Sequence, residues 1–379
     1  MKLLLVGSGG YAGNYIKILL NREIPELFWE GIVDPFYAAC AYKDQIDALG
    51  IPVYATMEEF YSRHTADLAV ISTPTFLHRE QSIFALAHGS HVLCEKPAAP
   101  TEKEALEMLQ AQEKYGHFLA IGYQWSYSDA IQKLKQDLLN GVLGKPVSLK
   151  TAISWPRNRA YYSRGSGWAG KIQQNGCMIL DSIASNACAH YLHNMLFLLG
   201  ERMGSSANVK VVQGECYRAN DIENFDTCTL RLETESGAEL YFAATHAANQ
   251  KRNPIFSYTF EKAVVTYSRD EGSQIVARFS DSSTKVYGDP FENPFKKLFD
   301  AVECVKHGKA PLCTVESALP HVRLIQSLYH TVPVHDFPKD KVLLDPQTDG
   351  RYVEGLFKAL YSAYDKKEML SQVAPQLFK

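Results

Sequence analysis

The stretch that decides the fold is Leu3-Leu4-Leu5-Val6-Gly7-Ser8-Gly9-Gly10-Tyr11-Ala12. It opens with a wholly apolar run, which is typical of a strand buried on both faces of a sheet. A glycine-rich turn follows this run, and the chain then continues in a helical pattern to about Asn21. A buried strand, a tight turn and a helix in this order predict the first strand–helix unit of a parallel sheet.

The same rhythm repeats through the first third of the chain. Apolar runs that we predict to be strands recur at 31–33, 68–71, 91–94 and 118–121. Helical segments follow two of these runs, at about 77–88 and 101–115, and the second begins with the capping-box spacing of Thr101 and Glu104. This alternation predicts a doubly wound parallel sheet with helices on both faces.

The pattern changes after about residue 147, where strand-like runs follow one another through short polar turns. These runs lie at 147–153, 209–217, 227–233, 239–245, 256–260 and 263–267. Few helices intervene, apart from one predicted at about 186–199. Helical patterns return after Asn293 and near 353–364, and we interpret 334–351 as a surface loop. The sequence therefore predicts an α/β domain at 1–122. It predicts an α+β domain at 123–379, with a mostly antiparallel open sheet and flanking helices that include the C-terminal ones.

Composition and charge exclude several classes of protein. The chain has 379 residues, with 39 Lys and Arg, 42 Asp and Glu and a net charge of −3, so it lacks the positive field of a nucleic-acid-binding protein. Its eight cysteines never form a Cys-x-x-Cys pair, which indicates buried thiols in a reducing cytoplasm rather than a disulfide frame or a metal site. No apolar run approaches the roughly 18 residues of a membrane-spanning helix. We therefore expect a cytoplasmic protein with no metal and no nucleic-acid or membrane partner.

The glycine-rich turn has the Gly-x-Gly-x-x-Ala spacing of a dinucleotide-binding motif. Gly7 would make the tight turn, Gly9 would let the backbone approach a pyrophosphate, and Ala12 would let the helix pack closely on the sheet. Asp34 follows the second strand, about 20 residues further on, where an acid binds the ribose hydroxyls and repels a 2′-phosphate. The motif thus predicts NAD in preference to NADP. The residues predicted to bind it are Gly7, Ser8, Gly9, Gly10, Tyr11, Ala12 and Asp34.

Two further motifs lie at the ends of predicted strands, where a doubly wound sheet binds its ligand. They are Thr73-Pro74-Thr75-Phe76-Leu77-His78 and Cys94-Glu95-Lys96-Pro97. With the glycine motif and Asp34, they make the chain resemble the Gfo/Idh/MocA oxidoreductases over almost its whole length. The resemblance implies a Rossmann domain and an NAD(P)-dependent oxidation or reduction of a sugar, inositol or related polyol. It also implies cofactor contacts from Thr73, Pro74, His78, Glu95 and Lys96.

The resemblance further implies a catalytic lysine and a catalytic histidine. Lys96 matches the family's lysine, whose pKa a desolvated cleft and the nicotinamide charge would lower, so that it could exchange a proton with the reacting hydroxyl. The family's Asp/Asn-x3-His motif fits Asn186 and His190, which would share one face of the predicted helix. Asp181 is the other candidate for the acid position, although Ser185 then stands in place of the histidine. The acid position stays open between these two residues.

Asn186 and Asp181 are predicted to bind the substrate, and three more side chains are predicted to contact it. His193 stands where many relatives carry a second Asp, whereas Tyr162 and Trp168 belong to an aromatic- and arginine-rich loop that suits stacking on a sugar. That loop could equally be an ordinary packed loop or an oligomer contact. We expect a homodimer or homotetramer that buries the sheet face not needed for the site.

Three functions fit these residues. The leading prediction is an NAD-dependent dehydrogenase that acts on a CH–OH group of a carbohydrate or polyol, with Lys96 and His190 managing the proton. A glycosidase that keeps NAD bound and oxidises its substrate only transiently is the second. A non-catalytic NAD-binding regulator is the third, and it would need neither Lys96 nor His190.

Overall fold

The computed structural model describes residues 1–21, 24, 26–165 and 167–379. The chain divides into two compact units. Unit 1 comprises Met1–Tyr123 and Phe295–Leu319, and unit 2 comprises Gln124–Pro294 and Pro320–Lys379. The predicted boundary at residue 122 therefore coincides within one residue with the end of the first segment of unit 1.

Unit 1 contains a parallel sheet built from the short apolar runs of the N-terminal third. Its strands are β1 (Lys2–Val6), β2 (Phe28–Val33), β3 (Val53–Tyr54), β4 (Leu68–Ile71), β5 (His91–Cys94) and β6 (Leu119–Ile121). They lie in the order β3-β2-β1-β4-β5-β6, and every neighbouring pair is parallel. The chain order reverses between β1 and β4, which is the topological switch point of a doubly wound sheet. The predicted fold of the N-terminal part is confirmed.

Helices connect the strands of this sheet. They are α1 (Ala12–Leu20), α2 (Lys43–Ala48), α3 (Met57–Tyr61), α4 (His78–Ala87) and α5 (Glu102–Tyr115). Thr101 caps α5 as its spacing predicts, because its Oγ1 accepts a hydrogen bond from the Glu104 backbone N–H at 3.3 Å. The helix ends at Gly116, whose positive φ of 70° lets the chain turn away.

Unit 2 contains the larger sheet. The strands after β6 are β7 (Pro146–Ser154), β8 (Gln173–Gln174), β9 (Cys177–Met178), β10 (Val209–Arg218), β11 (Thr227–Thr234), β12 (Glu239–Thr245), β13 (Arg252–Phe260), β14 (Ala263–Ser268), β15 (Ile275–Phe279), β16 (Thr284–Gly288), β17 (Val334–Asp336), β18 (Val342–Asp345) and β19 (Gly350–Val353). The sheet order is β16-β15-β14-β13-β7-β12-β11-β10-β17, and two hairpins, β8-β9 and β18-β19, stand apart from it. Neighbours are antiparallel except β7 with β12 and β10 with β17. The predicted mostly antiparallel sheet is confirmed.

The remaining helices follow the same chain order. They are α6 (Asp129–Leu139), α7 (Arg159–Tyr162), α8 (Ala189–Leu198), α9 (Lys296–His307), α10 (Val315–Thr331), α11 (Leu356–Lys366) and α12 (Leu370–Val373). Short 3-10 segments lie at Tyr37–Ala39, Thr75–Leu77, Gln124–Tyr127, Lys339–Lys341 and Pro375–Phe378. No helix in the described parts of the chain is long and apolar enough to cross a bilayer.

Both faces of the larger sheet pack against helices of the same chain around the central strand β12. Successive residues of a strand point to opposite faces, so Leu240 and Phe242 of β12 join the core that contains residues of α6, α8 and α10. Tyr241 and Ala243 join the other core, which contains residues of α11 and α12. The second face is the one that we expected to be buried in an oligomer.

Helix α9 belongs to the core of unit 1, although the sequence analysis placed it in the second domain. Leu298, Ala301 and Val302 of this helix are buried in the same cluster as Leu3 and Leu5 of β1. These residues repeat at helical spacing, which predicted the helix but could not show which unit it packs against. The C-terminal part of the chain thus contributes structure to both units.

The segment 334–351, predicted as a surface loop, contains regular structure. β17 pairs in parallel with β10, and β18 pairs with β19 in an antiparallel hairpin. Each strand is short, and strands of three or four residues carry too little alternation to be recognised from the sequence. The prediction of a loop there was wrong.

Candidate functional site

Gly7 makes the tight turn that the motif predicts. Its φ is +93°, and a Cβ on this residue would lie 2.6 Å from the Ser72 backbone oxygen at the end of β4. Its N–H donates to the Val33 carbonyl at the end of β2, at 2.8 Å. Only glycine fits here, because the conformation and the close approach of β4 both exclude a side chain.

The next glycine leaves open space beside the start of α1. A Cβ on Gly9 would meet nothing within 4 Å. A pocket of about 290 Å³ lies at this turn, and its lining includes Ser8, Gly9, Gly10, Asn14, Lys17 and Tyr42. Accessible backbone at a helix N-terminus together with a lysine suits a phosphate group. The residues of the turn therefore fit a dinucleotide, and Asn14, Lys17 and Tyr42 are pocket residues that the sequence analysis missed.

Asp34 lies directly after β2 and faces the same turn. Its Oδ2 accepts hydrogen bonds from the Ser8 N–H at 2.7 Å and the Ser8 hydroxyl at 2.6 Å. Its Oδ1 accepts the Phe36 N–H at 2.8 Å. The carboxylate is thus fixed beside the glycine turn, where the sequence analysis placed the ribose of the dinucleotide.

His78 ties two strand ends together. Its ring is buried, with Nδ1 2.9 Å from the Pro97 carbonyl and Nε2 2.9 Å from the Thr73 carbonyl. Burial lowers the pKa of His78, although the two carbonyls act in the opposite direction. Both ring nitrogens therefore face backbone oxygens, and the histidine holds the turn after β4 against the turn after β5.

Lys96 stands at the carboxyl end of β5, next to a buried carboxylate. Glu95 is 7% exposed, and its Oε1 accepts hydrogen bonds from the Tyr15 hydroxyl and the Lys297 ammonium, both at 2.5 Å. Lys96 itself is half-buried, and its N–H lies 3.4 Å from Glu95 Oε2. Lys297, on α9, is a residue that the sequence analysis did not associate with this motif.

In unit 2, the two candidates for the acid position contact each other. Asp181 Oδ1 accepts a hydrogen bond from Asn186 Nδ2 at 2.8 Å, and Asp181 Oδ2 accepts the Gly170 N–H at 2.6 Å. Asp181 is buried, whereas Asn186 is half-buried. Asp181 and Asn186, the alternatives for the acid position, therefore form one polar group.

The helix that carries His190 begins later than predicted. α8 begins at Ala189, so Asn186 lies in the preceding turn and does not share a helical face with His190. Ser185 explains the difference, because its side-chain oxygen accepts the Ser182 N–H at 2.8 Å and donates to a backbone carbonyl at 2.8 Å. Such local bonds compete with helix formation. His190 is half-buried, one residue into the helix.

His193 is placed differently from the other predicted substrate residues. It is fully buried, with Nδ1 3.4 Å from the Ser126 hydroxyl oxygen and its ring stacked on Phe197 at 5.9 Å between centroids. These contacts lie in the packed interior of unit 2.

The aromatic- and arginine-rich loop forms a cluster around Tyr161. The guanidinium groups of Arg157 and Arg164 lie 4.7 Å and 3.7 Å from the centre of the Tyr161 ring. Trp168 lies 5.0 Å from the Arg164 guanidinium, and the Tyr162 ring is 5.1 Å from that of Tyr161. The Tyr162 hydroxyl is buried and has no hydrogen-bond partner among the described residues. Burial raises the pKa of this hydroxyl, so it remains a donor for an oxygen atom.

His246 belongs to the same cluster and was missed by the sequence analysis. β12 runs parallel to β7, so His246 and Trp155, which follow these strands, emerge at one edge of the sheet. His246 Nδ1 lies 2.7 Å from the Trp155 carbonyl, and its ring is 5.7 Å from that of Tyr161. Burial, reinforced by the Arg157 charge, lowers the pKa of His246 to about 3. The only signal in the sequence was its position directly after a predicted strand.

The structure provides no obvious metal centre in the parts that it describes. No group of three or more His, Cys, Asp or Glu side chains in 1–21, 24, 26–165 and 167–379 is arranged to hold a metal ion. No disulfide joins cysteines in these ranges either.

Comparison with known protein families agrees with this geometry. Residues 1–123 match the model of the oxidoreductase family with the NAD-binding Rossmann fold, and residues 131–266 match the GFO/IDH/MocA C-terminal domain. The chain belongs to the Gfo/Idh/MocA family. The resemblance seen in its motifs, the fold class and the NAD-binding character of the N-terminal domain are thereby confirmed.

Several relatives within the Gfo/Idh/MocA family have named activities. The chain is 27% identical to D-glucoside 3-dehydrogenase of Escherichia coli over 207 aligned residues. The aligned stretch covers 51% of this chain and 56% of that protein. The chain is 24% identical to inositol 2-dehydrogenase of an Arthrobacter species over 276 aligned residues. This alignment covers 72% of this chain and 75% of that protein. Yet the alignments with the first curated relatives span only about half the length of those proteins, namely 48%, 56% and 50%.

A solved structure shows the same fold. The WlbA dehydrogenase of Bordetella pertussis, in complex with NADH and UDP-GlcNAcA, superposes with a TM-score of 0.70 and 21% sequence identity. The match covers 87% of this chain and 96% of the other. At this identity the similarity concerns the Gfo/Idh/MocA architecture.

The two glycines of the motif give a matched test of the turn. We expect Gly7→Ala to lower the thermal midpoint and abolish NADH binding, because the Cβ would clash with the Ser72 oxygen at 2.6 Å. Gly9→Ala should leave the thermal midpoint unchanged and weaken NADH binding, because its Cβ enters open space. Thermal unfolding and NADH fluorescence titration measure both effects. Equal NADH affinity in the wild type and Gly9→Ala would contradict this assignment of the turn.

His246 predicts a pH dependence of stability. Its pKa is about 3 in the folded protein and roughly 6.5 in an unfolded chain. The unfolded state therefore binds more protons between these values, and the free energy of unfolding falls as the pH decreases from 6.5 towards 3. This group contributes a slope of up to about 1.4 kcal/mol per pH unit.

Denaturant unfolding at several pH values measures that slope. His246→Gln should flatten it, whereas His307→Gln, at a side chain that is 56% exposed, serves as the control. An unchanged slope in His246→Gln would show that His246 is not held neutral by burial.

Proposed function

We propose that this chain is an NAD-dependent dehydrogenase that acts on a CH–OH group of a sugar, inositol or related polyol. The observation that carries the proposal is the position of Lys96. Lys96 follows β5, whereas Gly7 follows β1 and Asp34 follows β2. These strands are parallel members of one sheet, so the three residues lie at the same edge of it. A lysine at the dinucleotide edge of a doubly wound sheet suits proton exchange with a reacting alcohol. The names of the relatives support the substrate class.

Lys96 and His190 are the proposed catalytic residues. NAD, when bound, would accept or supply the hydride. Lys96 would take the hydroxyl proton during oxidation and return it during reduction, because an amine near a desolvated site changes its charge readily. His190 would orient the hydroxyl or share its proton.

The polar groups of unit 2 are proposed to bind the substrate. Asp181 holds Asn186 through a 2.8 Å hydrogen bond, which leaves the amide oriented by a buried carboxylate. Tyr162 offers a buried hydroxyl, and Trp168 offers an aromatic face of the kind on which sugar rings stack. His193, which is fully buried beside the Ser126 hydroxyl, is also retained as a proposed substrate contact.

We further propose a cytoplasmic homodimer or homotetramer. Eight cysteines without a disulfide in the described residues support a reducing compartment.

A substrate screen tests the proposed activity. Purified protein is incubated with NAD and a panel of sugars, polyols and aryl glycosides, and both NADH absorbance and aglycone release are followed. We expect NADH formation with a sugar or polyol. Lys96→Met should abolish this turnover while NADH still binds, because it removes the proton acceptor and leaves the other predicted cofactor contacts in place.

The screen also separates the rival functions. Aglycone release without NADH accumulation would support a glycosidase that uses NAD transiently, and NADH binding without either signal would support a regulator. A Lys96→Met protein that keeps its activity would contradict the mechanism proposed here.

A further inference from the structure

A lysine from the C-terminal part of the chain is fully buried in unit 1. Lys297, at the start of α9, is 0% exposed. Its ammonium donates hydrogen bonds to Glu95 Oε1 at 2.5 Å and to the Gly122 carbonyl at 3.3 Å. The same ammonium lies 4.5 Å from the centre of the Tyr11 ring. A buried lysine is costly, so these partners indicate a specific role.

The lysine is charged in this environment. Burial alone would lower the pKa of Lys297, but the Glu95 carboxylate outweighs that effect through its charge and its hydrogen bond, and the pKa is raised. The side chain is therefore a buried cation paired with a buried anion. Removing either partner would leave the other charge uncompensated.

The partners of Lys297 belong to the two motifs that define the NAD site. Tyr11 precedes the first residue of α1 and lies inside the glycine motif, whereas Glu95 directly precedes Lys96. Tyr15, one turn further along α1, also donates to Glu95 Oε1, at 2.5 Å. The glycine turn, the start of α1 and the turn after β5 are thus joined through one buried charge.

We propose that Lys297 is a positioning residue for NAD binding. It holds Tyr11 and Glu95 in place, and through them it orients the glycine turn and the turn that presents Lys96. The proposal rests on the NAD part of the proposed function and is independent of the sugar substrate. It also assigns a function to α9, which is distant in sequence from both motifs.

The neighbouring lysine provides a matched control. Lys296 lies on the same helix, its side chain is 26% exposed, and its Nζ is 3.9 Å from Asp300 Oδ2. Replacing it with methionine makes the same chemical change one residue away without touching Glu95. A general effect of lost charge on α9 would appear in both variants.

The test is a double-mutant cycle read by NADH affinity. The proteins are the wild type, Lys297→Met, Glu95→Gln, the double variant and Lys296→Met, each full length. NADH fluorescence titration gives the dissociation constant, and thermal unfolding shows that each protein is folded at the titration temperature. The double variant replaces the ion pair with a neutral pair of similar size, so it folds even where a single variant leaves a buried charge.

We expect Lys297→Met and the double variant to bind NADH roughly tenfold or more weakly, because a misplaced turn loses several contacts at once. Each single variant should raise the NADH dissociation constant by some factor. The factor for the double variant should be smaller than the product of the two single factors, since Lys297 acts through Glu95. Lys296→Met should bind as the wild type does.

Two results would overturn the positioning role. One is a folded double variant whose NADH affinity lies within about twofold of the wild type. The other is a double variant whose NADH dissociation constant rises by the product of the two single-variant factors, since Lys297 would then act independently of Glu95. If the wild type itself failed to bind NADH, the proposed function would fall and the positioning role with it, which is a distinguishable outcome.

Discussion

The candidate site depends on one constraint, which is the parallel pairing of β1 with its neighbours. Because β2, β1, β4 and β5 run in the same direction, their carboxyl ends meet at one edge of the sheet. Gly7, Asp34, Thr73 and Lys96 follow these strands and so lie along that edge. Residues far apart in sequence become neighbours without any special interaction among their side chains. The glycine turn then follows from the close approach of Ser72, which excludes a Cβ at Gly7.

The same edge contains the buried carboxylate of Glu95. Its charge is balanced by Lys297, which belongs to the same unit. Leaving Glu95 without its cation would cost about 3–5 kcal/mol, the range for breaking a buried ion pair. Lys297 supplies the cation and Tyr15 supplies a hydrogen bond. The pair does not by itself account for stability, because an apolar pair of the same volume is often as stable. Its position between two NAD motifs explains its presence better.

Much of this architecture could be predicted from the sequence, and the exceptions have physical reasons. The glycine turn, Asp34 and Lys96 were predictable because each follows a short apolar run with its own local signal. The grouping of α9 with unit 1 and the role of Lys297 depend on contacts between distant parts of the chain, which periodicity does not report. The late start of α8 arises from side-chain bonds of Ser182 and Ser185, which compete with a helical pattern that was otherwise correct. His246 has only its place after β12 to distinguish it.

We propose that the carboxyl edge of the parallel sheet binds NAD and that Asp34 selects against a 2′-phosphate. Parallel fluorescence titrations of the wild-type protein with NADH and NADPH test it most directly. We expect saturable NADH binding and NADPH binding that is at least about tenfold weaker, because a fixed carboxylate beside the ribose repels the extra phosphate. NADPH affinity equal to or tighter than that of NADH, or no binding of either, would contradict it.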